Sequence, residues 1–244
     1  MSKKTESKKL YIKELNLNLL QPNSKTYMNP SQGSQKHVII GKPGTGKSTL
    51  IKSLLYAKRN IYPCGAVFSG TESSNGFYKT IFPDTFIFNE YDAEKLELCV
   101  KRQKISGQHI ENPWAVYLLD DCTDDITIFN KPLQLGIYKN SRHWKMWYIL
   151  SLQYCMDVKP AIRASIDGTF ILRESNLKIR KALWENFAGV IPDFSDFCSI
   201  MDQLTGDYTA LYIHNASDSN KLEDCLFWYK ATPAPDFKFG CTDY

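Results

Sequence analysis

Eight consecutive residues, Gly41, Lys42, Pro43, Gly44, Thr45, Gly46, Lys47 and Ser48, meet the spacing G-x-x-x-x-G-K-[S/T]. That spacing suits a phosphate. Glycines let backbone N–H groups turn inward and approach phosphate oxygens with no Cβ in the way. A helix beginning near Gly46 adds unpaired donors and the positive end of its dipole. Lys47 would set an ammonium between the β- and γ-phosphates, and the Ser48 hydroxyl would coordinate Mg²⁺. Thr49 supports the first helical turn and is placed to touch the α-phosphate. A glycine-rich turn that matched by chance would lack a strand before it and a helix after it. Here "HVIIG" precedes and "KSTLIKSLLYAKR" follows. These residues point to a nucleoside-triphosphate site.

Such a site also needs a carboxylate at the C-terminal end of a neighbouring strand, to hold the metal's water shell. "VYLLDD" supplies Asp120 for that task. Asp121 faces the other way and could polarise an attacking water. The competing role is an N-cap for "TDDITIFN", which Asp124 or Asp125 would fill as well. Adjacent acids favour hydrolysis over transfer to a bound acceptor. No Arg-rich lid of the P-loop kinase kind stands out, and no N-K-x-D base-reading motif is present, so ATP hydrolysis is the expected reaction. Gln153 ends the apolar run "WYILSLQ". It either reaches the γ-phosphate or the lytic water, or is a strand-end glutamine bonded to a loop. Arg142, in "NSRHW", falls at that strand's opposite end, too far from its own phosphates to help them. It is either a surface arginine or a group that completes the site of the next subunit in a ring, where a guanidinium would offset charge on the phosphoryl group. His143, Trp144 and Trp147 read as packing residues.

The elements that must position these groups alternate. After "HVIIG", the runs "GAVFSGT", "TFIFN" (85–89), "WAVYLLDD" (114–121), "HWKMWYILSLQY" (143–154) and "GTFILRE" (168–174) read as strands, with "YTALYIHN" and "CLFWYK" as two late ones. Helical spacing occupies "DAEKLELCVKRQKIS", with Asp92 as N-cap, and returns over 177–189 and 195–204. Continuous apolar strands alternating with helices imply a mostly parallel sheet with helices on both faces. The fold class is α/β, a P-loop NTPase. Residues 1–35 form an N-terminal extension, its first eight residues polar and expected to be disordered, and 36–244 form a single domain.

Bulk composition sets further bounds. The net charge of +4 is spread along the chain and would not by itself suggest a nucleic-acid partner. Seven cysteines form no CxxC pair and no zinc-ligand spacing. Buried, reduced thiols and an intracellular soluble protein are expected. No apolar run approaches the about 18 residues of a membrane span, and the N-terminus lacks the apolar core of a secretory signal.

Taken together, "GKPGTGKSTLIKSLLY", "GAVFSGTESSNGFY", "RQKISGQHIENPWAVYLLDDCTDD", "NKPLQLGIYKNSRHWKMWYILSLQYCMDVKP" and "ENFAGVIPDF" resemble the genome-packaging ATPases of nucleocytoplasmic large DNA viruses. This poxvirus-like packaging family lies within the FtsK–HerA group of P-loop motors. The resemblance runs from about His37 to Gly240. It implies an additional-strand fold and an ATP- and Mg²⁺-dependent motor that drives double-stranded DNA, independently of sequence, into a capsid. It also implies a pentameric or hexameric ring, docking on a capsid or portal-like virion protein, and work in the host cell cytoplasm at the assembly site, with the virion as a second location. Lys47 and Ser48 match the family's nucleotide-binding pair and Asp120–Asp121 its second motif, although relatives in the wider group often carry Glu at the second place. Gln153 matches the polar strand-end residue and Arg142 the trans-acting arginine, with Arg163 and Arg173 as competitors. "SGTESSNGFY" (69–78) belongs to the resemblance without a physical role from the residues alone. Lys101, Arg102 and Lys104 are candidate DNA contacts, or simply a solvated helix face.

Overall fold

Apolar, β-branched runs become the interior strands of the computed structural model, which describes residues 11–239. The polar residues 1–8 and Cys241 lie outside that range. In chain order the elements are β1 (Lys13–Glu14), β2 (Lys36–Ile40), α1 (Lys47–Lys58), β3 (Cys64–Ser69), α2 (Glu72–Asn75), β4 (Ile87–Phe88), α3 (Ala93–His109) and β5 (Ala115–Asp120). They continue with α4 (Pro132–Asn140), β6 (Met146–Leu152), α5 (Pro160–Arg163), β7 (Gly168–Ile171), α6 (Leu177–Phe187), α7 (Phe194–Leu204), β8 (Thr209–His214), α8 (Leu222–Cys225) and β9 (Leu226–Lys230).

All nine strands join one sheet in the order β1-β9-β8-β7-β2-β6-β5-β3-β4. From β7 through β4 the pairing is parallel throughout, whereas β8 runs against both β7 and β9. The mostly parallel α/β fold read from the alternation is the fold observed. Between the phosphate-loop strand β2 and the carboxylate strand β5 stands one further strand, β6. Parallel register then brings the ends of β2, β6 and β5 to a single edge of the sheet.

Side-chain alternation divides the core in two. Val38 and Ile40 of β2, with Ala115, Tyr117 and Leu119 of β5, face the layer that includes α3, α4, α6 and α7. Ile39, Val116 and Leu118 face α1, whose Leu50, Ile51, Leu54 and Leu55 are at most 1% exposed. Sheet faces covered on both sides explain why the strands read as uninterrupted apolar runs. Caps fix the helix starts: Asp92 Oδ1 accepts from Lys95 N at 3.0 Å, and Asn176 Oδ1 accepts from Lys178 N at 2.9 Å.

Three segments differ from their sequence pattern. The strand expected over 85–89 shrinks to Ile87–Phe88, because a 3-10 turn at Asp84–Phe86 follows Pro83 at the sheet's edge. Helix α4, not evident from the periodicity, starts on Pro132 and buries Ile137 and Tyr138. Leu98, in the apolar pattern of α3, is 57% exposed, while Leu96 and Val100, four residues apart on one face, are buried.

Residues 13–35 add an edge strand to the sheet and pack into the α1-side core. Lys13 and Glu14 pair in parallel with β9, Leu15 and Leu20 enter the α1-side core, and Lys58 Nζ donates to the carbonyls of Leu20 and Pro22. Trp114 Nε1 donates to Tyr27 O at 2.6 Å. No disulfide occurs among the described residues, and Cys122, Cys155 and Cys225 are buried free thiols.

Candidate active site

The loop leaving β2 is anchored by Gly41 N, which donates to Leu152 O at the end of β6 at 3.0 Å. Thr45 closes the loop on itself, its hydroxyl donating to Lys42 O at 2.7 Å. Gly44 and Gly46 adopt left-handed backbone, φ +78° and +99°, which glycine enters without strain. Gly46 is also the N-cap of α1 and has no side chain to accept from the helix's first N–H groups. Those donors, with the dipole behind them, are left for an anion. Nothing lies within 4 Å of where a Cβ on Gly44 would stand. Ser48 is exposed and Thr49 half-buried on the first turn. Pro43 is exposed too, while Lys42 reaches sideways to Glu174 Oε1 at 2.9 Å and Ser175 Oγ at 3.3 Å, beyond the end of β7.

Both carboxylates stand at the same edge. Lys47, only 8% exposed, forms an ion pair with Asp121 Oδ1. Asp121 has left-handed backbone, φ +49°, just past β5, so its side chain leaves the strand in a direction of its own. Asp120 is 5% exposed. Its Oδ2 accepts from Tyr78 Oη at 2.7 Å, while its Oδ1 is buried with no hydrogen-bond partner among the described residues. Ser151, its cross-strand neighbour on β6, likewise has an unpartnered buried hydroxyl. Burial pushes the Asp120 carboxyl above its ordinary range, assisted by the negative charge of Asp121 and opposed by the Tyr78 hydroxyl and by Lys47. An unsatisfied buried carboxylate oxygen at the edge of the sheet that also carries the phosphate loop, with its exposed Ser48 hydroxyl, fits a hydrated Mg²⁺. Among the described residues no group of three or more His, Cys, Asp or Glu side chains could hold a metal by itself, so Ser48 and phosphate oxygens would have to complete the shell.

The segment 69–78, without a role from its residues alone, supports Asp120. Gly70 N donates to Asp120 O at 3.1 Å, and a Cβ on Gly70 would stand 2.5 Å from Asp121 O, so only glycine permits this approach. Glu72 is 1% exposed, and its carboxylate accepts from Tyr78 N at 3.0 Å and from Lys79 N at 3.2 Å. That anchor holds Tyr78 in the core. Burial and the adjacent Asp120 charge raise the Tyr78 phenol well above its ordinary range, so it stays protonated and donates. A buried Glu six residues before a buried Tyr was the signal available; its target, 42 residues further on, was not.

Gln153 is exposed and directly follows Leu152, the residue tied to Gly41. Arg142 lies at the other end of β6, exposed, with its aliphatic stem against Gly33 and its carbonyl accepting from Ser34 N at 3.3 Å. β6 has seven residues, so roughly 20 Å separates Arg142 from the loop of its own chain. Arg163 donates to Val158 O, whereas Arg173 is exposed just beyond β7, on the phosphate-loop edge. Lys101, Arg102 and Lys104 are exposed on α3, with Lys104 Nζ 4.6 Å from the centre of the Trp144 ring. Trp147 is buried and donates to His37 Nδ1 at 2.9 Å, but His143, read as a packing residue, is exposed. No helix of the described residues is long and apolar enough to cross a membrane.

No family model matches the chain. It is 52% identical over 237 residues to uncharacterized protein 088R of Invertebrate iridescent virus 3, covering 96% of this chain and 91% of that protein. It is 49% identical over 244 residues to uncharacterized protein 075L of Invertebrate iridescent virus 6, covering 98% and 94%. Among solved structures, the genome packaging NTPase B204 from Sulfolobus turreted icosahedral virus 2, in complex with ATPγS, superposes with a TM-score of 0.54 at 16% identity, covering 78% of this chain and 95% of that one. At that identity the likeness is one of fold, the P-loop NTPase fold. The chain belongs to the viral protein family of 088R and 075L.

Proposed function

We propose that this protein is an ATP-hydrolysing motor that translocates double-stranded DNA into a viral capsid, working as a homo-oligomeric ring. One observation carries the hydrolytic half: at one edge of the sheet an uncapped α1 N-terminus and Lys47, paired with Asp121, accompany a buried Asp120 oxygen that has no partner among the described residues. In this reading the amides of Gly41–Thr49 take the phosphates. Ser48 and, through its water shell, Asp120 would hold Mg²⁺, which would supply charge neutralisation at the phosphates. Lys47 moves from Asp121 to phosphate oxygens. That exchange frees Asp121 to orient and polarise water, while Gln153 contacts the γ-phosphate or that water.

Arg142, at the opposite edge of the sheet, completes the neighbouring subunit's site. Support for packaging comes from membership of a virus family's proteins and from a fold shared with a genome packaging NTPase. Double-stranded DNA, gripped by its backbone, and a capsid or portal-like docking protein at a cytoplasmic assembly site are the partners this reading assigns.

Steady-state hydrolysis of ATP, with and without long double-stranded DNA, tests it. We expect DNA to stimulate turnover, the stimulation to fade as salt rises, and Lys47→Ala to abolish it. Arg142→Ala subunits should inhibit wild-type ones when mixed. Hydrolysis that ignores DNA, or an Arg142→Ala mixture that only dilutes activity, would contradict the motor and the ring respectively.

A further inference from the structure

Tyr208 stands where the phosphate loop meets α1. The first atom that a Cβ on Gly46 would meet is Tyr208 Cδ1, at 2.9 Å. Yet the ring is not buried: Tyr208 is 54% exposed, and its hydroxyl has no hydrogen-bond partner among the described residues. Its backbone lies in the left-handed region, φ +57°, as does that of Asp207 at +47°. For a bulky aromatic residue this conformation is an outlier, and the surroundings impose it. Ala231 N donates to Tyr208 O at 2.9 Å, Thr209 N donates to Gly206 O at 2.9 Å, and Lys230 pairs with Asp207. A large apolar face is therefore held rigidly in solvent beside a loop shaped for phosphate.

Position decides what that face could meet. The metal-and-γ end of the site lies toward β5, where Lys47 meets Asp121 and the Asp120 oxygen is unpartnered. On the other side of β2, the β7–β8 end of the sheet supplies Glu174 and Ser175 to Lys42 and Tyr208 to Gly46. A triphosphate with its γ end toward β5 leads its sugar and base toward β7 and β8. We infer that Tyr208 is the platform on which the base of the bound nucleoside triphosphate stacks. This rests on the phosphate-loop reading and extends it from the phosphates to the base. Stacking on an aromatic face tolerates any base, so Tyr208 adds affinity for the base without selecting adenine.

Calorimetric titration of the full-length protein with Mg²⁺ and either ATP or inorganic tripolyphosphate separates the two contributions. Tyr208→Asn is the informative variant, because asparagine tolerates left-handed backbone; Tyr208→Phe keeps the platform. Wild type should bind ATP more tightly than tripolyphosphate. Tyr208→Asn should lose about tenfold in ATP affinity, within the range of base–aromatic stacking, with tripolyphosphate affinity unchanged, and Tyr208→Phe should match wild type. ATP affinity unaltered in Tyr208→Asn would overturn the inference. So would equal losses for both ligands, since the ring would then only shape the loop. A wild type that binds tripolyphosphate as tightly as ATP would overturn the stacking role and leave the phosphate reading standing; one that binds neither would remove both.

Discussion

Asp120 depends on a side chain that touches no phosphate. Tyr78 donates to Oδ2, while Oδ1 has no partner among the described residues and would face the water shell of the Mg²⁺ we propose. Removing that phenol hydroxyl leaves both carboxylate oxygens short of donors in a buried site, raising the cost of keeping the charge. Tyr78→Phe should therefore weaken Mg²⁺ use on the order of tenfold, as loss of a supporting contact at a metal site does. The Mg²⁺ dependence of ATP hydrolysis would measure it, with Mg²⁺-free nucleotide affinity as the control that should not move. Equal effects on both would reduce Tyr78 to a core residue. At this scale the phosphate loop was legible, because its glycines, Lys47 and Ser48 are consecutive and act through local backbone. Glu72, Tyr78 and Tyr208 were not. Their meaning depends on strand order and on a positive φ, neither of which leaves a mark in residue spacing.

Elements show the same division. β2, β5 and β6 were readable because both their faces are buried, which makes them continuous apolar runs. Two-residue β1 was not, since its pairing with β9 spans more than 200 positions and leaves no periodicity in so short a segment. That arm nevertheless contributes core. Leu20 is 1% exposed, so Leu20→Ala should cost about 3 kcal/mol of unfolding free energy, measurable in urea; a loss near zero would mean the arm is only draped on the surface.

A second prediction concerns the layer joining β2, β6 and β8, where His37 accepts from the Trp147 indole at Nδ1 and lies 3.3 Å from Tyr212 Oη. Burial, followed by the positive charges of Lys58, His214 and Lys36, lowers the His37 pKa from 6.5 to about 3. Between those values the unfolded chain binds a proton that the folded chain refuses. Stability from this site is thus full above pH 6.5 and falls as the pH drops toward 3, by a few kcal/mol at most. His37→Gln should lose less stability than wild type across that window, and parallel pH profiles would count against the account.

At the scale of the whole molecule, the sheet separates two kinds of chemistry. One edge carries the loop, Asp120, Asp121, Gln153 and Tyr208. The opposite edge carries Arg142, which no fold of the same chain can return to that site across the length of β6. The ring we propose, in which one subunit's lower edge meets its neighbour's upper edge, would give Arg142 a use and would couple hydrolysis to movement between subunits. A dispersed +4 charge says little either way about the DNA partner we propose.

The central claim is movement along DNA driven by ATP. The most direct measurement is displacement of a triplex-forming oligonucleotide from a long duplex by the wild-type protein with ATP and Mg²⁺. We predict displacement that requires ATP hydrolysis, is absent in Lys47→Ala and does not depend on the duplex sequence. Robust ATP hydrolysis on the same DNA with the third strand left in place would contradict a translocating motor.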